Sequence, residues 1–291
     1  MILQKGAGRL PALRRLLAAG ALLGLAACQA APVTEPGSEE LAGPPVAYPA
    51  DTKRRILAIA MREWQDFGAP EIDFTGFTAQ PLLAGLTETD PRVFPNLLAY
   101  WNSVRSGWQD YIRDQKLLYE AGNGAWMREA WSAAFVSYVM RSAGVDRDDF
   151  PWDAGHRTYI DALIQRHRLY GAAAVFQVYD VTQYAPRPGD LICADRSRPL
   201  DQRLTSVAER IAEMGRPRGM HCDIVVELQP GRVAAIGGNV GNSVSRSWFP
   251  TDANGYLLRR EPPLDPSERS FFAVIRTSIP DPPLIARGPA G

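Results

Sequence analysis

Three histidines and three cysteines among 291 residues leave little with which to build a metal centre, and none of them forms a paired-histidine zinc motif. The chain has no glycine loop ending in Lys-Ser/Thr that would cradle a phosphate, and no dinucleotide fingerprint ahead of a helix. The sequence therefore implies no cofactor. Neither sign of charge is in excess: Lys and Arg total 32, Asp and Glu total 32, so no net field draws nucleic acid or an anionic membrane surface. No apolar run reaches the ~20 residues that a spanning helix needs, and no internal repeat is visible.

The longest apolar run, Leu16 to Ala27, follows the basic residues Lys5, Arg9, Arg14 and Arg15, the layout of a secretory signal rather than of a folded helix. Its end, Leu25-Ala26-Ala27-Cys28, resembles the bacterial lipobox, in which small residues precede a cysteine that becomes the acylated first residue of the mature chain. The resemblance implies a membrane tether at Cys28. Gln29 follows where an aspartate would imply inner-membrane retention, so the expected location is the outer membrane, facing the periplasm. Each buried methylene of an anchor contributes about 0.8 kcal/mol, and two acyl chains already hold a protein stably.

Residues 1–27 are accordingly set aside as a signal peptide, and residues 28–50, rich in Pro, Ala, Gly and Glu, read as the lipidated cysteine and a flexible spacer. All seven Trp lie beyond Asp51, enough for one sizeable core. The expected organisation is an N-terminal helical extension over 51–124, a main domain over 125–279 and a proline-rich tail over 280–291. In an oxidising compartment Cys193 and Cys222 are candidates for a disulfide, which would contribute roughly 3–4 kcal/mol through the loop it closes. A small-hydrophobe role in the core is the alternative for Cys193.

Apolar residues three and four apart predict helices over 52–67, 95–104, 108–120, 131–142 and 154–170, with a further one over 200–214. Residues 174–179, 190–195, 221–228, 232–236, 243–248 and 271–277 read as six strands rich in Val, Ile and aromatics. Helices first and strands afterwards is an α+β order, because parallel crossovers would make them alternate.

Three stretches carry candidate chemistry: Trp131-Ser132-Ala133-Ala134-Phe135-Val136, then Pro188-Gly189-Asp190-Leu191, then His221 opening a strand with Gly237-Gly238-Asn239 after the next. In this order, over about residues 125–250, they resemble the CHAP and NlpC-like cell-wall peptidases, relatives of papain. That resemblance implies a papain-like antiparallel sheet with helices packed on one side. It also implies a nucleophile at the start of a helix, a histidine on a strand and a polar third residue on the neighbouring strand. Where those peptidases carry cysteine this chain has Ser132. With that serine, the set also resembles an uncharacterised bacterial family, the domain of unknown function 2272.

A helix start and a neighbouring imidazolium can turn a thiol into a standing thiolate, but no such field ionises a hydroxyl. Serine needs a general base during attack, a group that fixes the base's tautomer, and N–H donors for the oxyanion. Ser132, His221 and Asn239 are the catalytic candidates, with peptidoglycan stem peptides or a related peptide as the implied substrate. Serine is also among the best helix caps, worth about 1 kcal/mol without chemistry, and Asn239 among glycines is equally a turn former. Trp131 and Asp223 are candidate substrate contacts. Trp126 and Tyr159 are further candidates to line a groove, with the core as the default place for large aromatics. Cys222 alternates with His221 along the strand, so its sulfur is expected across the sheet from the imidazole. His156 reads as a helix-start residue and His167 as an exposed member of the basic run 166–168. The rival to an enzyme is a binding or scaffolding lipoprotein that keeps the fold without the chemistry.

Overall fold

Apolar spacing along the chain becomes two faces of one sheet. The computed structural model describes residues 43–104, 107–121 and 129–281. Helix α1 (Asp51–Asp66) buries Ile56, Ala60 and Trp64 along one stripe. Helix α2 (Phe94–Ser103) follows a short 3-10 turn in which the Asp90 carboxylate accepts the Arg92 N–H, and it buries Leu97, Tyr100 and Trp101. Helix α3 (Gln109–Glu120) is mostly exposed, while α4 (Ser132–Ser142) is buried along almost its whole length. Helix α5 (His156–Tyr170) turns Tyr159, Ile160, Leu163 and Ile164 inward.

Helix α6 (Val207–Ala212) is much shorter than the segment 200–214 that the sequence predicts. Its start is fixed at Ser206, whose hydroxyl accepts the Glu209 N–H. Upstream, Asp195 holds the chain off helical geometry by accepting the Leu204 N–H at 2.8 Å, and only Leu200–Gln202 form a 3-10 turn.

The sheet has eight strands. Six lie near the segments that the sequence predicts: β3 (Phe176–Asp180), β4 (Leu191–Asp195), β5 (Met220–Gln229), β6 (Arg232–Val240), β7 (Ser243–Pro250) and β8 (Ser270–Thr277). Two more, β1 (Glu71–Asp73) and β2 (Gln80–Leu83), extend one edge, giving the order β2-β1-β7-β6-β5-β4-β8-β3. All neighbours are antiparallel except β1 and β7, which run parallel. Strand β1 has only three residues and β2 is exposed throughout, so neither carries the alternation by which a sequence announces a strand. Pro81 is tolerated because β2 is an edge strand.

Alternate residues divide between two cores. Leu191, Cys193, Cys222, Ile224, Ile236 and Ile275 face the helices, whereas Ile192, Ala194, Val225, Ala235, Phe249 and Val274 meet Phe74, Val181 and Leu257 on the other side. The architecture is α+β with helices packed on one face. Residues 51–104 are woven into this unit: Ile56, Trp64, Leu97 and Tyr100 share the helix-side core with Phe135 and Val139.

Cys193 and Cys222 stand opposite each other on β4 and β5 with Cα atoms 4.1 Å apart, and a disulfide joins them. The bridge closes a loop across the sheet centre, a constraint on the unfolded chain of about 3–4 kcal/mol. Replacing both cysteines by alanine is expected to lower the unfolding free energy in denaturant by at least that much, measured against the oxidised parent. An unchanged midpoint would contradict a formed bridge.

Candidate active site around Ser132

The start of α4 is fixed by what packs around Trp131. This residue occupies the cap position without a side-chain cap, its indole stacks at 5.9 Å on Phe67 and 5.7 Å on Tyr100, and its Nε1–H donates to Glu88 at 2.6 Å. Burial pushes the Glu88 carboxyl up, with the indole N–H opposing. Strand β6 presses so close that a Cβ on Gly238 would lie 2.5 Å from Phe135 Cβ and 2.9 Å from Trp131 Cζ3. Only glycine fits there.

Ser132 is thus the first residue of α4 rather than its cap. Its hydroxyl goes to a histidine: Ser132 Oγ lies 2.6 Å from His156 Nε2. The loop before α5 sets this distance. Ser137 on α4 donates its hydroxyl to the Asp153 carbonyl at 2.9 Å and accepts the Asp153 N–H at 3.0 Å, and the Asp153 carboxylate in turn accepts the Gly155 N–H. On its other nitrogen, His156 Nδ1 is hydrogen-bonded to the Tyr159 hydroxyl, one turn along the same helix. With the proton on Nδ1, donated to Tyr159 oxygen, Nε2 is the acceptor for the serine hydroxyl. At the same helix start, Phe135 N–H is the first to bond, to the Trp131 carbonyl. The N–H groups of Ser132, Ala133 and Ala134 are left as donors, as at any helix start.

His221 stands next to this pair, its ring centroid 5.3 Å from that of His156. Strand β5 pairs with β6 only from Ile224 onward, whereas Met220–Asp223 pair with β4. The space on the β6 side is taken by the His221 and Asp223 side chains themselves, since a Cβ on Gly237 would collide with Asp223 Oδ1 and lie 2.9 Å from His221 Nε2. His221 Nε2 lies 2.9 Å from Asp223 Oδ1. Ser132 is 7% exposed, His156 and His221 5% each, and Asp223 not at all, so the cluster is almost wholly buried.

Burial pushes His156 well below the ordinary imidazole value, and the neighbouring His221 pushes the same way. Burial also lowers His221, against the opposing pull of Asp223. Burial alone would raise Asp223, but His221 and the Arg269 guanidinium outweigh it and keep the carboxylate ionised. Tyr159 is raised by burial and stays a phenol. At neutral pH the cluster is therefore two neutral imidazoles, a phenol and one carboxylate.

Several expectations change against this geometry. The histidine bonded to Ser132 is His156, not His221, because α5 begins directly over α4 while His221 is turned toward Asp223. The residue that orients His221 is Asp223, not Asn239: Asn239 takes a left-handed φ of +56° and has no side-chain hydrogen bond among the described residues. Trp131 is 0% exposed and belongs to the core, as does Tyr159, and Asp223 is sealed inside rather than offered to a substrate. His167 is half-buried and bonds the Val178 main chain, and Arg166 beside it is buried in an ion pair with Asp149 at 2.6 Å. Trp126 and the lipidation candidate Cys28 lie outside the described residues. His156 was the missed residue. Its only sequence signal is a histidine at a helix start with a tyrosine three residues on.

Among the described residues no cluster of three His, Cys, Asp or Glu is placed to hold a metal ion, and no helix is long and apolar enough to cross a membrane. A family model described as an uncharacterised protein conserved in bacteria, DUF2272, matches residues 101–277, more than half of the chain. The chain belongs to this family. No curated protein and no solved structure matches it. The DUF2272 match contains Ser132, His156, Tyr159, His221 and Asp223, and it leaves out α1, β1, β2 and most of α2.

The two buried imidazoles give a signed pH dependence. The unfolded chain protonates both near their ordinary value of 6.5 and the native DUF2272 domain does not, so acid favours unfolding. Stability is expected to hold above pH 6.5 and to fall below it, at a limiting slope of about 1.4 kcal/mol per pH unit for a histidine that stays neutral in the native state. Denaturant titrations across pH on the parent and His156→Gln check this, the variant giving a shallower slope. Equal slopes would mean that His156 is charged in the native protein.

Proposed function

We propose that this protein is an exported, lipid-anchored hydrolase that cleaves an amide bond in peptidoglycan stem peptides through a Ser132–His156 dyad. The observation that carries the reading is the 2.6 Å contact between Ser132 Oγ and His156 Nε2 at the start of a helix. A neutral base, a hydroxyl in reach and free N–H donors beside it are the parts that acyl transfer needs. In this mechanism Ser132 Oγ attacks the amide carbonyl as its proton passes to His156 Nε2. The N–H groups at the start of α4 receive the oxyanion, and the same proton then goes to the departing amine, leaving an ester on Ser132. Tyr159, hydrogen-bonded to Nδ1, holds the imidazole ring in place. The substrate class comes from the likeness of Ser132, Pro188-Gly189-Asp190 and His221 to the motifs of CHAP and NlpC-like wall peptidases. Export and anchoring are supported by the lipobox pattern ending at Cys28 and by the Cys193–Cys222 disulfide, a bond that persists in oxidising compartments.

One observation favours a second reading. Ser132 and His156 are only 7% and 5% exposed, which suits a wall-binding scaffold whose hydroxyl and imidazole satisfy each other. Incubating the soluble domain, residues 29–291, with purified peptidoglycan separates the two. The hydrolase releases fragments detectable by mass spectrometry, and Ser132→Ala lowers the rate by roughly 1,000-fold or more. Fragments from neither protein, with the parent still sedimenting with the wall, would replace the hydrolase by the scaffold.

A further inference from the structure

The dyad leaves a second imidazole–carboxylate pair beside it without a task. His156 is committed at both ring nitrogens, Nε2 to Ser132 and Nδ1 to Tyr159. His221 is committed at one: Nε2 faces Asp223 Oδ1 at 2.9 Å, and Nδ1 has no hydrogen-bond partner among the described residues. The two ring centroids are 5.3 Å apart.

The two histidines also differ in what stands behind them. A phenol backs His156, whereas a fully buried carboxylate backs His221 and stabilises its protonated form. The other charges facing His221 are Arg269, buried beside Asp223, and Arg196, both opposing protonation. A carboxylate-backed imidazole is the stronger base of the two and suits the weaker nucleophile, water.

We propose that His221, oriented by Asp223, is a second catalytic base, which activates the water that hydrolyses the Ser132 acyl-enzyme. The inference rests on the Ser132 reading above. Water oxygen bonds to the acyl carbon as one of its protons moves to His221 Nδ1. The bond from carbon to Ser132 Oγ then breaks. The second water proton passes through His156 Nε2 to Ser132 Oγ, the product leaves as a carboxylate, and His221 returns its proton to solvent. Labour is thus divided between histidines, with attack by serine assisted by one and attack by water by the other.

Burst kinetics with p-nitrophenyl acetate read the two steps separately. The parent is expected to release a burst of nitrophenol equal to the enzyme concentration, followed by slower turnover. His221→Gln keeps the burst, slows turnover by about 100-fold and accumulates acetylated Ser132 in mass spectra, while His156→Gln loses the burst. Asp223→Asn, close in shape, gives the same split with a smaller fold-change and guards against a glutamine variant that misfolds. Burst and turnover falling together in both His221→Gln and Asp223→Asn, or neither changing, would overturn the division of roles. A parent that never acetylates Ser132 would instead overturn the dyad reading, and this one with it.

Discussion

The approach of β6 to the start of α4 is the constraint from which the site follows. At Gly238 the strand backbone comes so near Phe135 and Trp131 that no side chain fits between them. Trp131 is then wedged between Phe67 and Tyr100 with its indole N–H on Glu88, and the helix can begin only at Ser132. Stacked aromatics and a buried N–H to carboxylate bond together contribute a few kcal/mol at about 1 kcal/mol or more each. Their larger effect is on position. A serine at the first turn meets an imidazole that is itself held by the Ser137–Asp153 bonds.

The same packing makes the electrostatics costly. Two imidazoles, a carboxylate and the Arg269 guanidinium are buried together, and among the described residues Asp223 Oδ2 and the Arg269 Nε and Nη1 atoms have no hydrogen-bond partner. Burial holds Arg269 down to about 10, with Asp223 opposing. A fold selected only for stability would replace such a cluster with apolar residues, since a half-satisfied buried network is worse than none. Its place beside the first N–H groups of α4 is what supports the proposed Ser132–His156 chemistry.

Much of the fold was legible in the sequence because it is written in periods. Strands β3 to β8 are rich in Val, Ile and aromatics, and Phe135, Val136, Val139 and Met140 repeat at helical spacing, so the α+β order followed from pattern, while the helix-covered face came from the family resemblance. Strands β1 and β2 were not legible, because three- and four-residue segments owe their conformation to the β7 edge they extend. The site was legible in part. The strand phase puts His221 and Asp223 on one side, and the helix start singles out Ser132. What no local pattern records is a contact between a helix start and another helix start 24 residues later. His156 was therefore read as a capping-region residue, and the orienting role went to Asn239, whose left-handed backbone is the turn geometry that asparagine tolerates.

The central claim is that His156 makes the Ser132 hydroxyl nucleophilic. Reaction with a fluorophosphonate probe, followed by peptide mapping and by labelling rates for the parent and His156→Gln, tests it most directly. The account predicts a single adduct on Ser132 in the parent and a rate at least about 100-fold lower in the variant. No adduct on Ser132, or equal rates in the two proteins, would contradict it.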